Sequence, residues 1–118
     1  MKILLAEDDD INRQLMYEIL SCEGYEVIAV CDGQEMISKA LESKPDLIIT
    51  DIQMPNISGN TTIAMISEYE SLADIPVIVV TGLSRIEFKR LGLARDIDVI
   101  FKPVNSVKLI EIVRKYTK

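Results

Sequence analysis

Residues 2–10 read KILLAEDDD: a strand-length apolar run that stops at four consecutive carboxylates, Glu7 to Asp10. Apolar character on consecutive rather than alternate residues suits a strand buried on both faces, as in a parallel sheet. A helix-period segment follows. Ile11–Cys22 sets Ile11, Leu15, Ile19 and Cys22 along one stripe, and Gly24 supplies a stop.

Outward from this unit the same alternation recurs. Further strands are expected at Glu26–Val30, Leu47–Thr50, Pro76–Thr81 and Val99–Phe101. Asp32 is placed to cap a helix over Gln34–Ser43, with Ile37, Ala40 and Leu41 at helical spacing. Thr61–Tyr69 is a third helix candidate. Ser84 with Glu87 three residues later reads as a capping box opening the fourth. Asn105 or Ser106 caps the last helix, which is expected to run to about Thr117. Five strand–helix pairs in strict alternation imply an α/β sandwich with a parallel sheet and right-handed crossovers.

At 118 residues, 48% of them hydrophobic, the chain suffices for one sizeable core, and residues 1–118 read as a single domain without repeat or linker. Its longest apolar runs, such as Val77–Val80, fall far short of the roughly 20 residues a membrane helix needs. No charged-then-apolar leader precedes the first strand, so a cytoplasmic location is expected. Cys22 and Cys31 lack zinc-site spacing and are too few for a disulfide scaffold, which favours small, reduced, apolar residues. The net charge of −6 argues against direct nucleic-acid binding, which needs clustered cations. Histidine is absent, which removes the commonest general base and zinc ligand.

The polar residues collect where such folds place their chemistry, outside the carboxyl ends of the strands. Glu7, Asp8 and Asp9 follow strand one; Asp51 ends strand three. Thr81 and Gly82 end strand four, and Lys102–Pro103 end strand five. Clustered carboxylates repel, and a divalent cation resolves the repulsion. Magnesium suits the set, because it prefers oxygen ligands and takes one or two carboxylates together with phosphate oxygens. Lys102 offers a compact positive charge for a phosphate oxygen, and Thr81 a hydroxyl. An oxygen nucleophile, a metal and fixed positive charge are what phosphoryl transfer requires, and a carboxylate needs no general base. Each residue also has a plainer reading: a lone aspartate is commonly a cap, and an acidic triplet is commonly solvated charge. Their convergence on one edge of the sheet is what favours a site.

These stretches resemble the response-regulator receiver domain along the whole chain. KILLAEDDDINR at Lys2–Arg13 resembles the family's first strand and acidic loop. LIITDIQMPNISG at Leu47–Gly59 resembles its phosphoacceptor stretch, with Met54, Pro55 and Gly59 at the family's spacing. VIVVTG at Val77–Gly82 and FKP at Phe101–Pro103 resemble its threonine strand and lysine motif. The resemblance implies a doubly wound (βα)5, flavodoxin-like three-layer sandwich with strand order 2-1-3-4-5. It implies Asp51 as phosphoacceptor, magnesium held by Glu7, Asp8, Asp51 and the main-chain carbonyl of Gln53, and Thr81, Gly82 and Lys102 around the phosphoryl group. It further implies a cis bond at Lys102–Pro103. The implied partners are a histidine kinase or histidine phosphotransfer protein and a downstream effector on the face formed by the fourth helix, the fifth strand and the last helix. A monomer or a weak, phosphorylation-dependent dimer is implied.

One position departs from the pattern. Such domains usually carry an aromatic residue three positions before the lysine, and here Val99 stands there. A valine cannot perform a ring flip, so a receiver-like binding module without phosphorylation is the alternative reading. An aspartyl phosphatase of the haloacid dehalogenase type would need a second aspartate where Gln53 stands. A flavin or dinucleotide binder would want a Gly-rich loop in place of Glu7–Asp10.

Overall fold

The computed structural model describes residues 1–52, 64, 68–92 and 97–117. The order is β1 (Lys2–Ala6), α1 (Asp10–Cys22), β2 (Glu26–Val30), α2 (Gly33–Ser43), β3 (Leu47–Thr50), β4 (Val77–Thr81), α3 (Arg85–Arg90), β5 (Asp98–Phe101) and α4 (Ser106–Arg114). The expected helix at Thr61–Tyr69 lies almost wholly outside the described residues.

All five strands pair in parallel in the order β2-β1-β3-β4-β5. This is the expected doubly wound sheet. The pleat sends alternate side chains to opposite faces, and two cores result. Leu4, Ala6, Ile48, Val77 and Val79 meet Met36 and Ala40 of α2, with Phe88 and Leu91 packed at the edge. Ile3, Leu5, Leu47, Ile49, Ile78 and Val80 meet Met16 and Leu20 of α1 and Leu109, Ile112 and Val113 of α4 on the other side. β3 and β4 are buried throughout, whereas β2 and β5 are edge strands with half-exposed positions. Burial on both faces therefore holds for the centre of the sheet only.

The helix starts follow from their caps. Asp9 accepts the Asn12 N–H, Asp32 the Glu35 N–H and Asn105 the Lys108 N–H. Ser84 and Glu87 form a complete capping box. The last helix ends at Arg114, short of Thr117, and Asn105 rather than Ser106 caps it. The stripe read on α1 requires correction. Ile11 is 79% exposed, Leu15 44% exposed and Cys22 exposed, while Met16 and Leu20 face the core. Both stripes repeat at helical spacing, so periodicity did not select the buried one. Both cysteines are free and exposed rather than buried. The Cys31 thiol donates to Glu35, which raises its pKa.

Candidate functional site

The parallel ladder delivers the polar residues to one edge. Ala6 and Thr50 are in register, so Glu7 and Asp51 leave adjacent strands at the same height. The Asp51 N–H donates to the Ala6 carbonyl at 3.1 Å, and the Glu7 N–H to Val30 at 3.1 Å. Thr50 Oγ1 donates to the Asp51 carbonyl at 2.8 Å, which fixes the turn out of β3. On the other side Thr81 and Phe101 are in register, and the Lys102 N–H donates to the Thr81 carbonyl at 2.7 Å. The Lys102–Pro103 peptide bond is cis.

Glu7 is fully buried and Asp51 only 3% exposed; Asp8 is exposed at the rim. Carboxylate oxygens of these three residues lie within 4.8 Å of one another. Lys102 Nζ bridges the two buried acids, 2.6 Å from Asp51 Oδ2 and 2.8 Å from Glu7 Oε1. Burial, partly offset by the contact with Lys102, raises the Glu7 pKa, and the Asp51 charge raises it further. Burial works against the Lys102 ammonium, but its close contacts with the Asp51 and Glu7 carboxylates prevail and its pKa is raised. The lysine thus stays charged and serves as the counter-ion to two acids.

Glu7 Oε2 accepts the Asp9 N–H at 3.3 Å. Glu7 Oε1 is buried and, although close to Lys102, has no donor in hydrogen-bonding alignment. A buried carboxylate oxygen in that condition, beside two further carboxylates, fits a hard cation with oxygen ligands. Glu7, Asp8 and Asp51 are the residues that would hold it. The Gln53 carbonyl lies outside the described residues.

Thr81 is fully buried, and its Oγ1 accepts the Leu83 N–H at 3.1 Å; Gly82 between them is exposed. Val99 is half-buried on β5, opposite Val79, and packs on the same core face as Leu83, Phe88 and Ile97. Two contributors escaped the reading of the sequence. Arg13 donates through Nη1 to the Glu7 carbonyl at 2.9 Å and pairs with Asp10, bracing the acidic loop from the first turns of α1. Leu83 engages Thr81 through its main chain, which no side-chain pattern reveals.

A doubly wound parallel sheet in the order β2-β1-β3-β4-β5, with buried acids and a lysine gathered at its carboxyl edge, defines the flavodoxin-like class of fold. Residues 3–114 match the response regulator receiver domain, and the chain belongs to that family. It is 32% identical over 115 residues to the polar-differentiation response regulator DivK of Brucella suis, covering 97% of this chain and 94% of DivK. The structure resembles the response regulator TrrA of Thermotoga maritima, solved in complex with Mg(2+)-BeF, with a TM-score of 0.85 at 32% identity, covering 98% of this chain and 97% of that one. It also resembles a receiver domain of a Pseudomonas aeruginosa sensor histidine kinase, solved with magnesium in the active-site cleft. There the TM-score is 0.87 at 26% identity, with 98% and 95% of the chains covered. The family is a signalling module of two-component systems.

Proposed function

We propose that this receiver accepts a phosphoryl group from a partner's phosphohistidine onto Asp51 and changes conformation in response. The observation that carries this reading is the Lys102 ammonium set against both Asp51 and Glu7, with Asp8 completing the acidic set.

An Asp51 carboxylate oxygen forms a bond to phosphorus as the donor's N–P bond breaks. The electron pair stays on the departing imidazole nitrogen, which takes a proton from water. Magnesium, when bound, supplies positive charge for the phosphoryl oxygens. Glu7, Asp8 and Asp51 would hold that ion, and the family resemblance adds the Gln53 carbonyl to the set. Lys102 gives up part of its contact with Asp51 and pairs with a phosphoryl oxygen instead. The Thr81 hydroxyl turns from Leu83 toward the phosphoryl group, alongside the Gly82 main chain, and the segment entering α3 is rebiased. Water attack on phosphorus then releases inorganic phosphate and restores the carboxylate. The domain catalyses only these steps on itself. The expected partners are a histidine kinase or phosphotransfer protein and an effector on the face formed by α3, β5 and α4. No described helix is long and apolar enough to cross a membrane, and a cytoplasmic location follows from the proposed partners.

Incubation with acetyl phosphate or phosphoramidate and magnesium, followed by intact-mass measurement, tests the reading. A gain of one phosphoryl group, abolished by Asp51→Ala and by chelator, is expected. No gain with any donor would transfer the chain to the alternative, a receiver-like binding module.

A further inference from the structure

Four consecutive carboxylates, Glu7 to Asp10, follow β1, and three of them have a task already. Glu7 and Asp8 stand with Asp51 in the acidic set at the sheet edge. Asp9 caps α1 by accepting the Asn12 N–H at 2.8 Å. Asp10 belongs to neither arrangement. Its side chain is 87% exposed, yet it pairs with the Arg13 guanidinium three residues on.

Arg13 faces two ways. Its Nη2 meets the Asp10 carboxylate, and its Nη1 donates to the Glu7 main-chain carbonyl at 2.9 Å. A guanidinium is a planar, rigid fork of donors, so holding one nitrogen aims the other. The arginine is the more enclosed member of the pair, with its side chain 24% exposed. Its own N–H donates to the Asp9 carbonyl at 2.9 Å, which fixes its place in the first turns of α1.

The carbonyl that Arg13 holds is the junction between two acids. The Glu7 carbonyl and the Asp8 N–H share one peptide plane, so the bond from Arg13 sets the rotation of that plane. Elsewhere Glu7 is tied through its N–H to the Val30 carbonyl at 3.1 Å and through Oε2 to the Asp9 N–H at 3.3 Å. β2, the acidic loop and α1 thus each fix one group of this residue. Asp8 is exposed at the rim, and the direction of its carboxylate depends on the peptide that precedes it.

We propose that Arg13 is a positioning residue, aimed by Asp10, which strengthens cation binding by Glu7 and Asp8 by fixing the peptide between them. Charge alone would act in the opposite direction, because a guanidinium near the acidic set repels a metal ion and its removal would tighten binding. The inference rests on the proposed function only in taking Glu7, Asp8 and Asp51 to hold magnesium.

Magnesium affinity is measured by calorimetry on the full chain, with no phosphoryl donor present. Urea unfolding without metal checks that each variant is folded during titration. Arg13→Met, which removes the donor and the charge, is expected to bind about tenfold more weakly. Arg13→Lys, which keeps one donor, is expected to recover part of that loss. Asp10→Asn is expected to weaken binding about threefold even in about 0.5 M salt, where so exposed a charge is screened. Should Arg13→Met fail to fold, Asp10→Asn decides the outcome. Equal or tighter binding by Arg13→Met, or an Asp10→Asn effect that vanishes in salt, overturns the inference in favour of charge alone. Phosphoryl uptake is weighed by mass in the same samples. Uptake by a parent whose affinity is indifferent to Arg13→Met overturns the positioning role alone. Weakened binding in Arg13→Met with no uptake by the parent upholds that role and overturns the phosphoacceptor. A parent that binds no magnesium overturns both.

Discussion

The Thr81 hydroxyl oxygen accepts the backbone N–H of Leu83 at 3.1 Å. Leu83 in turn packs on the core face that also carries Phe88 and Val99. Turning the hydroxyl toward a phosphoryl group breaks that bond and frees the main chain that leads into α3. This connection does not pass through position 99, so the switch proposed here does not depend on an aromatic residue there. Thr81→Ala should cost about 1–2 kcal/mol, having left a half-buried N–H unsatisfied. It should still gain one phosphoryl group by mass. Amide resonances of α3 should no longer respond to beryllium fluoride, and Thr81→Ser should restore the response.

Lys102 already occupies the carboxylate oxygens of Glu7 and Asp51 that a cation would use. Lys102→Met should therefore bind magnesium at least as tightly as the parent by calorimetry, in a site whose acids now repel each other unless metal is present. Without magnesium the variant should be less stable by about 1–3 kcal/mol, discounted from a fully buried pair because the lysine is partly exposed. Stripping metal with a chelator should widen the gap in Tm between variant and parent. An equal Tm in both conditions would mean that Lys102 does not compensate the acids.

The two stripes of α1 differ sharply in their expected cost. Leu20→Ala, in the core, should lose about 2–5 kcal/mol in urea unfolding. Ile11→Ala, on the exposed side, should change stability by less than about 0.5 kcal/mol. A large effect at Ile11 would place the helix in the wrong rotation.

At the opposite end of β5, burial and the hydrogen bond to Asp98 push the Tyr116 phenol up to about 12. In alkaline titration by phenolate absorbance, one of the four tyrosines should ionise late, and Tyr116→Phe should remove that late step. Because the folded pKa is raised, this contribution to stability is complete below the ordinary phenol pKa of about 10 and is lost as pH rises toward 12. Asp98 behaves in the opposite sense. Its bonds to Tyr116 and Lys115 lower its pKa, so its contribution is present above the ordinary aspartate range and is lost in acid.

The sheet was legible because central strands must be apolar on consecutive residues, and β1, β2 and β3 have the bounds their runs suggested. Caps at Asp32 and Ser84 were legible because a short polar side chain ahead of a helical run has few other uses. The face of α1 was not, since Ile11 and Leu15 are as apolar as Met16 and Leu20; only packing separates them. Of the candidate site, the clustering of Glu7, Asp8 and Asp51 and the contact of Lys102 with Glu7 and Asp51 could be anticipated from polar residues at or just past the ends of apolar strands. The bonds from Arg13 to the Glu7 carbonyl and from the Leu83 N–H to Thr81 could not, because each involves a main-chain atom and carries no residue signature.

The 2.7 Å bond from the Lys102 N–H to the Thr81 carbonyl closes residues 81–102 into a loop pinned at its mouth. Both proposed sensors of the phosphoryl group, Thr81 and Lys102, sit at that mouth, and α3 sits inside. Such a segment is a natural cassette. Its interior is exchangeable for that of another receiver without disturbing the pairing of Lys102 with Thr81 at the ends.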